Sequence, residues 1–521
     1  MNKKTLFRAR VFLLLLFIRG VPAAAQEDED SVYYIREINF DITGRTKEYA
    51  IARNCDIRKG YEVTGRAALI GYIESGRQGL VNRRELQQAD IDFKTDAPDE
   101  DGRIPVDVTI CTVDTRNFII LPEPKYSSNT GWSPAIRIRD FNFLGLMSLL
   151  SISIRYRYQN GDDVTYSRSG ANLIVGAEIP FRALRYDWKF TTENIFSYYS
   201  NEPFSYGSVN GISVDIPFRN TTFTFGFVQG IHFGKEYDNW RKYVYSANIE
   251  DVWYGSDTAY GEWKIPLPVE TEFLGALAYK PSVSGNASYA FRGEDLNELN
   301  GPSFNVSQKL GFEKIDWAGN FRRGADLYIE NWNEYNFFFD EWNNSITANA
   351  AAHLVLSDFF GISMRGRFTR WFCNNGSPLN ETRRHAGEMI RGMDDDALTA
   401  KSMFVFNFDF TFHIFNFMFS KYFNNEKLRL INFELQAAPI LDIAIANGVE
   451  IGRKRNFIRN ITYNPRDWIV SGGFELFVFP LAFRSVYLRG SAAWNLNKLA
   501  DPENLPGRDD WEVYIGFGQH Y

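Results

Sequence analysis

An arginine between an apolar residue and a glycine stands in the run Ile390-Arg391-Gly392-Met393. It precedes a long predicted strand that carries Asp409. A guanidinium held against a carboxylate in a confined polar interior forms a charge-assisted pair, and partial desolvation strengthens it. Glycine directly after the arginine permits the tight turn that such an approach needs. The spacing therefore predicts a loop that folds back and is held by an ion pair between Arg391 and Asp409.

The predicted strand that must position Asp409 alternates between two sets of residues without a break from Phe404 to His413. Every second residue, from Phe404 to Phe412, is phenylalanine, while the residues between them are mostly polar. Strands of transmembrane barrels show this two-residue period, with the apolar side toward lipid and the polar side toward the lumen. Asp409 is therefore predicted to face a barrel lumen.

The stretch from Leu428 to Ile445 repeats the same alternation. Its apolar residues share one parity, and Glu434 and Asp442 fall on the other. Both carboxylates should therefore join Asp409 on the lumen face. Asp442 and Glu434 are further candidate partners for Arg391.

Composition favours the same class of protein. The chain has 521 residues, 16% of them aromatic, with a formal net charge of -7. The mean hydropathy is -0.30, which excludes a helical membrane protein. Aromatic lipid faces combined with polar lumens explain this mixture, and the net charge gives no sign of a nucleic-acid partner. The length allows one large domain and one small domain.

The first residues have the pattern of a secretory signal peptide. Lysines and arginines precede an apolar run from Val11 to Ile18, and Ala23-Ala24-Ala25 supplies a cleavage site. We therefore assign residues 1–25 to a signal peptide. No later apolar run approaches the length of a spanning helix. The prediction is a bacterial outer-membrane protein with its N-terminal domain in the periplasm.

Three cysteines are present: Cys55, Cys111 and Cys373. An odd count argues against a disulfide framework. Cys55 and Cys111 fall in the same predicted small domain, where they could pair in an oxidising compartment or stay as two buried thiols. The sequence leaves both alternatives open.

Residues 31–115 form a compact α+β pattern. A strand containing Ile38, Phe40 and Ile42 precedes two predicted helices, Thr46 to Asn54 and Arg66 to Leu86, with Thr64 as an N-cap. Strands Gln88 to Lys94 and Ile104 to Val113 follow. This β-α-α-β-β order resembles a POTRA domain. The resemblance implies capture of extended polypeptides by addition of a strand at a sheet edge.

Residues 118–521 are predicted to form an antiparallel transmembrane barrel of about sixteen strands, from roughly 25 residues per strand and loop. The fold class is therefore mainly β, a barrel preceded by one small α+β domain. The chain ends in an alternating strand with a terminal aromatic residue, which resembles the C-terminal strand signal of outer-membrane barrels. That signal comprises Trp511, Val513, Ile515, Phe517 and Tyr521.

These features together resemble the BamA, TamA and two-partner-secretion superfamily of outer-membrane proteins. The barrel opening Asp140-Phe141-Asn142-Phe143-Leu144-Gly145 is similar to the superfamily's first hairpin. Ile390-Arg391-Gly392-Met393 is similar to its Val-Arg-Gly-aromatic tetrapeptide, with Ile for Val and Met for the aromatic residue. By position, Asp409 and Asp442 correspond to its acidic partners. The resemblance implies a non-enzymatic factor that inserts or translocates unfolded polypeptide.

Other functional classes have weaker support. The five histidines lie far apart, and none stands in a metal-ligand spacing. We expect no catalytic residue, metal or cofactor. The expected partners are unfolded outer-membrane or secreted polypeptides and the lipid bilayer, with periplasmic chaperones or accessory lipoproteins as further partners. The alternative is a passive pore or surface receptor whose N-terminal domain is a tether.

Overall fold

The structure is a computed structural model. It describes residues 31–124, 126–127, 131–159, 168–200, 204–234, 253–292, 302–337, 340–373, 384–385, 387–393, 398–451, 458–484, 486–497 and 511–517. The predicted signal peptide, residues 1–25, lies outside this range. The chain divides into two compact units. The first comprises Met1–Asp41, Ala52–Gly79 and Asp90–Cys111, and the second comprises Ile42–Ile51, Leu80–Ala89 and Thr112–Tyr521.

The N-terminal elements form a four-stranded sheet with two helices. Its strand order is β2-β1-β4-β3, so that β2 and β3 are the edge strands. In chain order the elements are β1 (Val32–Thr43), α1 (Glu48–Cys55), β2 (Glu62–Thr64), α2 (Arg66–Val81), β3 (Leu86–Thr95) and β4 (Ile104–Asp114).

The structure differs from the sequence prediction between the two helices. A short strand, β2, pairs antiparallel with the start of β1 and was not expected. Thr64 belongs to this strand and does not cap α2, because the helix begins only at Arg66. α2 also ends at Val81, five residues earlier than predicted. On β4, Val106, Val108 and Ile110 are buried on one face, in agreement with the predicted alternation.

Strands β5 to β26 form one closed barrel. Four of them, β6, β7, β20 and β23, are only two to four residues long, which leaves eighteen long strands in the wall. The strands are β5 (Phe118–Glu123), β6 (Tyr126–Ser127), β7 (Gly131–Trp132), β8 (Ala135–Asp140), β9 (Leu150–Gln159), β10 (Arg168–Ala183), β11 (Tyr186–Tyr199), β12 (Ser205–Phe218), β13 (Thr221–Phe233), β14 (Trp253–Thr271), β15 (Gly275–Arg292), β16 (Ser303–Ala318), β17 (Phe321–Asn336), β18 (Glu341–Ser357), β19 (Phe360–Cys373), β20 (Arg384–His385), β21 (Leu398–Phe417), β22 (Phe433–Ile451), β23 (Ile458–Ile461), β24 (Ile469–Pro480), β25 (Leu488–Asn495) and β26 (Trp511–Phe517).

The expected sixteen strands were two too few. At one end of the barrel, which we call the turn end, many connections are only two or three residues long, such as 184–185, 219–220 and 319–320. An average of roughly 25 residues per strand and loop was therefore too large. The opposite end, the loop end, carries most of the long connections. Asymmetry of this kind is typical of outer-membrane barrels.

A short helix and four 3-10 turns complete the described secondary structure. The helix α3 (Phe419–Tyr422) lies in the connection between β21 and β22. The 3-10 turns are Phe143–Gly145, Gly387–Met389, Glu426–Ile431 and Pro465–Asp467. Among the described residues, no helix is long and apolar enough to cross a membrane.

The wall of the barrel separates apolar from polar residues by parity. In the register of β21 with β22, Phe406 lies opposite Ile443 and Asn407 lies opposite Asp442. Phe404 and Phe406 are 39% and 36% exposed on the outer face, whereas Asn407 is fully buried on the inner face. The alternation predicted for these two strands is therefore present. It places Asp409 and Asp442 inside the barrel.

The barrel closes where β26 meets the first strands, and we call this junction the seam. Among the described residues, β26 pairs with β6 through Tyr514 opposite Ser127 and Ile515 opposite Tyr126. On its other edge β26 pairs with β25 along seven residues. The order of strands in the barrel also places β5 next to β26 at this junction.

Cys55 and Cys111 are both free thiols. Of the two alternatives left open by the sequence, the structure has the unpaired one. Burial raises the pKa of Cys55 to about 11, because the charged thiolate is disfavoured away from water.

Candidate functional site

The loop that carries Arg391 is folded into the barrel. A 3-10 turn at Gly387–Met389 starts it, and the backbone N–H of Ile390 donates to the carbonyl of Gly387 at 2.9 Å. The amide of Asn407 on β21 donates to the carbonyl of Met389 at 3.1 Å. We call residues 387–393 the arginine loop.

Apolar packing fixes the arginine loop on both sides of Arg391. Ile390 and Met393 are buried, and they belong to one hydrophobic cluster whose other members come mostly from β21 and β22. Burial of two such side chains stabilises the docked loop by about 1.5–3 kcal/mol each. The partners in this cluster are Leu398, Ala400, Met403, Val405, Ala444, Ala446, Ile461 and Ile469.

Arg391 binds three carboxylates from three strands. Its Nε and Nη2 atoms donate to the two oxygens of Asp442 at 2.9 and 2.5 Å, and its backbone N–H donates to the same carboxylate at 2.8 Å. Its Nη1 atom donates to Asp409 at 2.6 Å and to Glu475 at 3.3 Å. The guanidinium is 2% exposed. A two-pronged pair of this kind is geometrically specific as well as strong.

Two more charged residues extend the site around the wall. Glu475 on β24 also accepts from Arg489 on β25, whose Nε lies 3.1 Å away. The backbone N–H of Gly392 donates to Glu512 on β26 at 2.9 Å. The arginine loop is therefore tied to β21, β22, β24 and β26, and through Glu475 to β25.

Acidic and basic side chains meet around the arginine loop. Arg391 and Arg489 face four carboxylates, those of Asp409, Asp442, Glu475 and Glu512. Carboxylates this close to one another and largely removed from water repel strongly unless cations lie between them. Arg391 contacts three of the four and therefore lies between them.

Gly392 is needed where the loop passes the wall. Its φ is +82°, a left-handed conformation that disfavours any residue with a side chain. A Cβ atom placed there would lie 3.1 Å from the backbone of Ala493 and Trp494 on β25. The predicted tight turn at Gly392 therefore coincides with a close approach of two backbones.

The structure brings together some of the predicted partners and separates one. Asp409 and Asp442 contact Arg391 directly. Glu434 lies eight residues before Asp442 on β22, roughly 27 Å along the strand. There it accepts hydrogen bonds from Gln436 and Asn320, each at 2.7 Å. Glu434 is thus absent from the cluster around Arg391.

Glu475, Arg489 and Glu512 were missed by the sequence reasoning. Glu475 interrupts an aromatic strand, between Phe474 and Phe477, and shares the parity of the buried Phe477. A carboxylate on the inner face of such a strand was a detectable signal. Glu512 lies between two outward residues of the predicted C-terminal signal, Trp511 and Val513, so the same alternation would have placed it inside.

The C-terminal strand signal is described only in part. Trp511, Val513, Ile515 and Phe517 form alternate positions of β26, and Trp511 is exposed. Tyr521 lies outside the described residues. Among the residues that the structure describes, no group of three or more histidine, cysteine, aspartate or glutamate side chains is arranged to hold a metal ion.

Comparisons with known proteins give similarity to solved barrels. No protein-family model matches the chain, and no curated protein matches it. CdiB from Acinetobacter baumannii is 12% identical, over 93% of this chain and 74% of that one, with a TM-score of 0.48. BamA from Haemophilus ducreyi, in a structure lacking POTRA domains 1–3, is 12% identical over 93% and 85%, with a TM-score of 0.37. The siderophore receptor PirA from Acinetobacter baumannii is 10% identical over 76% and 64%, with a TM-score of 0.31.

CdiB and BamA are among the solved barrels to which the chain is similar. At such identities and TM-scores they carry no argument about activity. The function is therefore argued below from the geometry of this chain.

Proposed function

We propose that this chain is an outer-membrane barrel that inserts or translocates unfolded polypeptides. Unfolded outer-membrane or secreted chains are its substrates, and no covalent chemistry is involved. The observation that carries the proposal is the arginine loop. It occupies the lumen and is tied by Arg391 and Gly392 to strands that include β26, the strand at the seam. A passive pore does not require a loop that is tied to its closing strand.

The mechanism would use the edges of the seam. When β26 parts from β6, two rows of unpaired backbone N–H and C=O groups face the membrane, where each unsatisfied group is costly. A client strand that pairs with such an edge satisfies those groups and enters the bilayer already hydrogen-bonded. The hydrogen bond from Gly392 to Glu512 would hold the inner face of β26 in place while the seam opens and closes.

The small N-terminal sheet would capture clients in the periplasm, as expected from its resemblance to a POTRA domain. Its edge strand β3 is ten residues long and has only one neighbour in the sheet, β4. An extended peptide that adds to the outer edge of β3 would form main-chain hydrogen bonds with it. Chaperones or accessory lipoproteins are further partners of this proposal.

The test is refolding of an unfolded outer-membrane client into liposomes that contain this protein. A cysteine pair at Tyr126 and Ile515, which are opposite each other across the seam, should abolish the acceleration when oxidised and restore it when reduced. The matched control is a pair at Ala492 and Val513, opposite each other between β25 and β26, which should leave the activity unchanged. Native cysteines are replaced by serine throughout.

Arg391→Ala should slow client refolding in the same assay. The control is Arg459→Ala. Arg459 lies on β23 and forms another ion pair, with Glu450, at 3.0 Å. Equal activity of oxidised and reduced seam variants would exclude seam opening. Steady ion conductance without any acceleration would instead indicate a pore.

Removing residues 31–115 tests the role of the N-terminal module. We expect the barrel to remain folded, because the strands of its wall begin at Phe118. Client refolding should then become slower at low client concentration, where capture limits the rate. Unchanged kinetics at every concentration would make the module a spacer.

A further inference from the structure

The connection between β21 and β22 is much longer than the two-residue connections at the turn end. It runs over residues 418–432, whereas the connections at 219–220, 319–320 and 358–359 have two residues. It folds into the helix α3 and the 3-10 turn at Glu426–Ile431. We call residues 418–432 the aromatic foot.

Hydrogen bonds within the aromatic foot give it a defined shape. The side chain of Asn432, which is buried, donates to the hydroxyl of Ser420 at 2.9 Å and accepts from its backbone N–H at 3.2 Å. The side chain of Asn425 accepts from the backbone N–H of Lys427 at 3.0 Å. Both ends of the foot are therefore fixed against each other.

The foot continues the outer face of the barrel. Phe417 and Phe433 are opposite each other on β21 and β22, with ring centroids 5.4 Å apart, on the face that carries the phenylalanines of the wall. The ring of Phe419 is tilted against both of them, with centroids 4.9 and 6.2 Å away. Phe423 then lies parallel to Phe419 at 6.4 Å. One line of rings passes from the wall into the foot without a polar break.

The foot leaves large apolar side chains without cover. Tyr422 is 77% exposed, Phe423 is 67% exposed and Ile431 is 52% exposed. Rings at the border between apolar and aqueous phases are the usual composition of the aromatic belt of membrane proteins. The aromatic foot is continuous with the outward face of the barrel. Tyr422 and Phe423 therefore contact the same medium as that face.

The charge of the foot is opposite to that of the chain. It contains Lys421, Lys427 and Arg429 with a single acid, Glu426, so its formal charge is +2 while the whole chain carries -7. All four of these side chains are exposed. Basic residues next to exposed aromatic residues are suited to a layer of anionic lipid headgroups.

We propose that the aromatic foot is a lipid-binding element that lies in the headgroup region of the leaflet at the turn end. Its rings enter the border of the acyl chains, and its basic residues bind the phosphates of anionic phospholipids. The foot joins the two strands that carry Asp409 and Asp442, so lipid contact and the arginine loop share the same strand pair. This inference rests on the membrane placement in the proposed function, and not on the handling of clients.

The experiment uses single spin labels on the full chain in lipid nanodiscs, which leave both membrane faces open to reagents. Labels are placed at Phe423, at Asn425 in the same foot, and at Phe406 on the outer face of β21. Collisions with oxygen, which concentrates in lipid, are compared with collisions with a water-soluble nickel chelate. We expect oxygen to dominate at positions 423 and 406, and the ratio to reverse at 425.

Each part of the inference can fail separately. If position 406 is lipid-exposed but 423 matches 425, the foot points to water and the inference is wrong. If position 406 is also water-exposed, the membrane placement itself fails. The spin label at position 423 should lie deeper in anionic nanodiscs than in zwitterionic ones. Replacing Lys421, Lys427 and Arg429 by glutamine should remove this difference in depth. The same depth difference after neutralisation would refute the phosphate contacts.

Discussion

Arg391 and Asp442 should show strong energetic coupling, because each is buried and each is the other's main partner. Arg391→Ala removes both guanidinium hydrogen bonds to the Asp442 carboxylate, which is 1% exposed, and leaves the neutral backbone N–H of residue 391 as its donor from the loop. Leaving one buried charge without its partner costs about 3–5 kcal/mol. Asp442→Asn should lower the stability less, because Asp409 and Glu475 still accept hydrogen bonds from the guanidinium.

The double variant should lose less stability than the sum of the two single changes. Two side-chain hydrogen bonds between charged groups contribute about 1.5–3 kcal/mol each. Because Arg391 also binds Asp409 and Glu475, only part of this energy is measured as coupling with Asp442. We expect a coupling of about 2–3 kcal/mol between Arg391 and Asp442. Asp409 makes one such bond and is partly exposed, so its coupling with Arg391 should be about 1 kcal/mol.

Unfolding by urea in detergent micelles, followed by the shift of folded and unfolded bands on unheated gels, measures these energies. Arg391→Ala combined with Glu434→Gln is the control, because Glu434 binds Asn320 and Gln436 instead. Additivity for Arg391 and Asp442 within about 0.5 kcal/mol would refute the reasoning. A coupling with Asp409 larger than that with Asp442 would refute the assignment of the main acceptor.

Two further predictions concern positions outside the ion cluster. Gly392→Ala should lower the free energy of unfolding by about 1–2 kcal/mol in the same urea assay, because the left-handed backbone and the nearby backbone of Ala493 disfavour a side chain. Gly490→Ala is the control. It should leave the stability unchanged, because the space around Gly490 is open. Cys55, with a pKa of about 11, should resist maleimide in the folded chain at pH 8 and react as the pH rises toward that value, since only the thiolate attacks. Rapid labelling at pH 8 without unfolding would contradict its burial.

The barrel could be predicted because its signal is local. Phe404 to Phe412 alternate with polar residues, and a two-residue period assigns each side chain to a face without any tertiary information. The same rule correctly placed Asp409 and Asp442 inside. It could not separate Glu434 from them, because alternation gives the face of a residue but not its height along the strand.

The strand number and the wider ion cluster depended on facts that alternation does not contain. Short turns such as Leu184-Arg185 carry no marked turn motif, so the average spacing misjudged the count. Glu475 and Glu512 come near Arg391 only after the arginine loop has folded onto the inner face of the sheet. In the N-terminal sheet, β2 has only three residues, too few for a periodic pattern.

The strands that meet around Arg391 impose an order on assembly. They are β21, β22, β24, β25 and β26, the last five long strands of the chain. A chain that emerges from its N-terminus exposes the arginine before any of its acceptors exists, and the last of them, Glu475, comes 84 residues later. Glu512, which accepts from the backbone N–H of Gly392, comes 120 residues after that glycine. Contacts between residues so distant in sequence form late. Docking of the loop is therefore a terminal step of folding, and it marks a wall that has been completed.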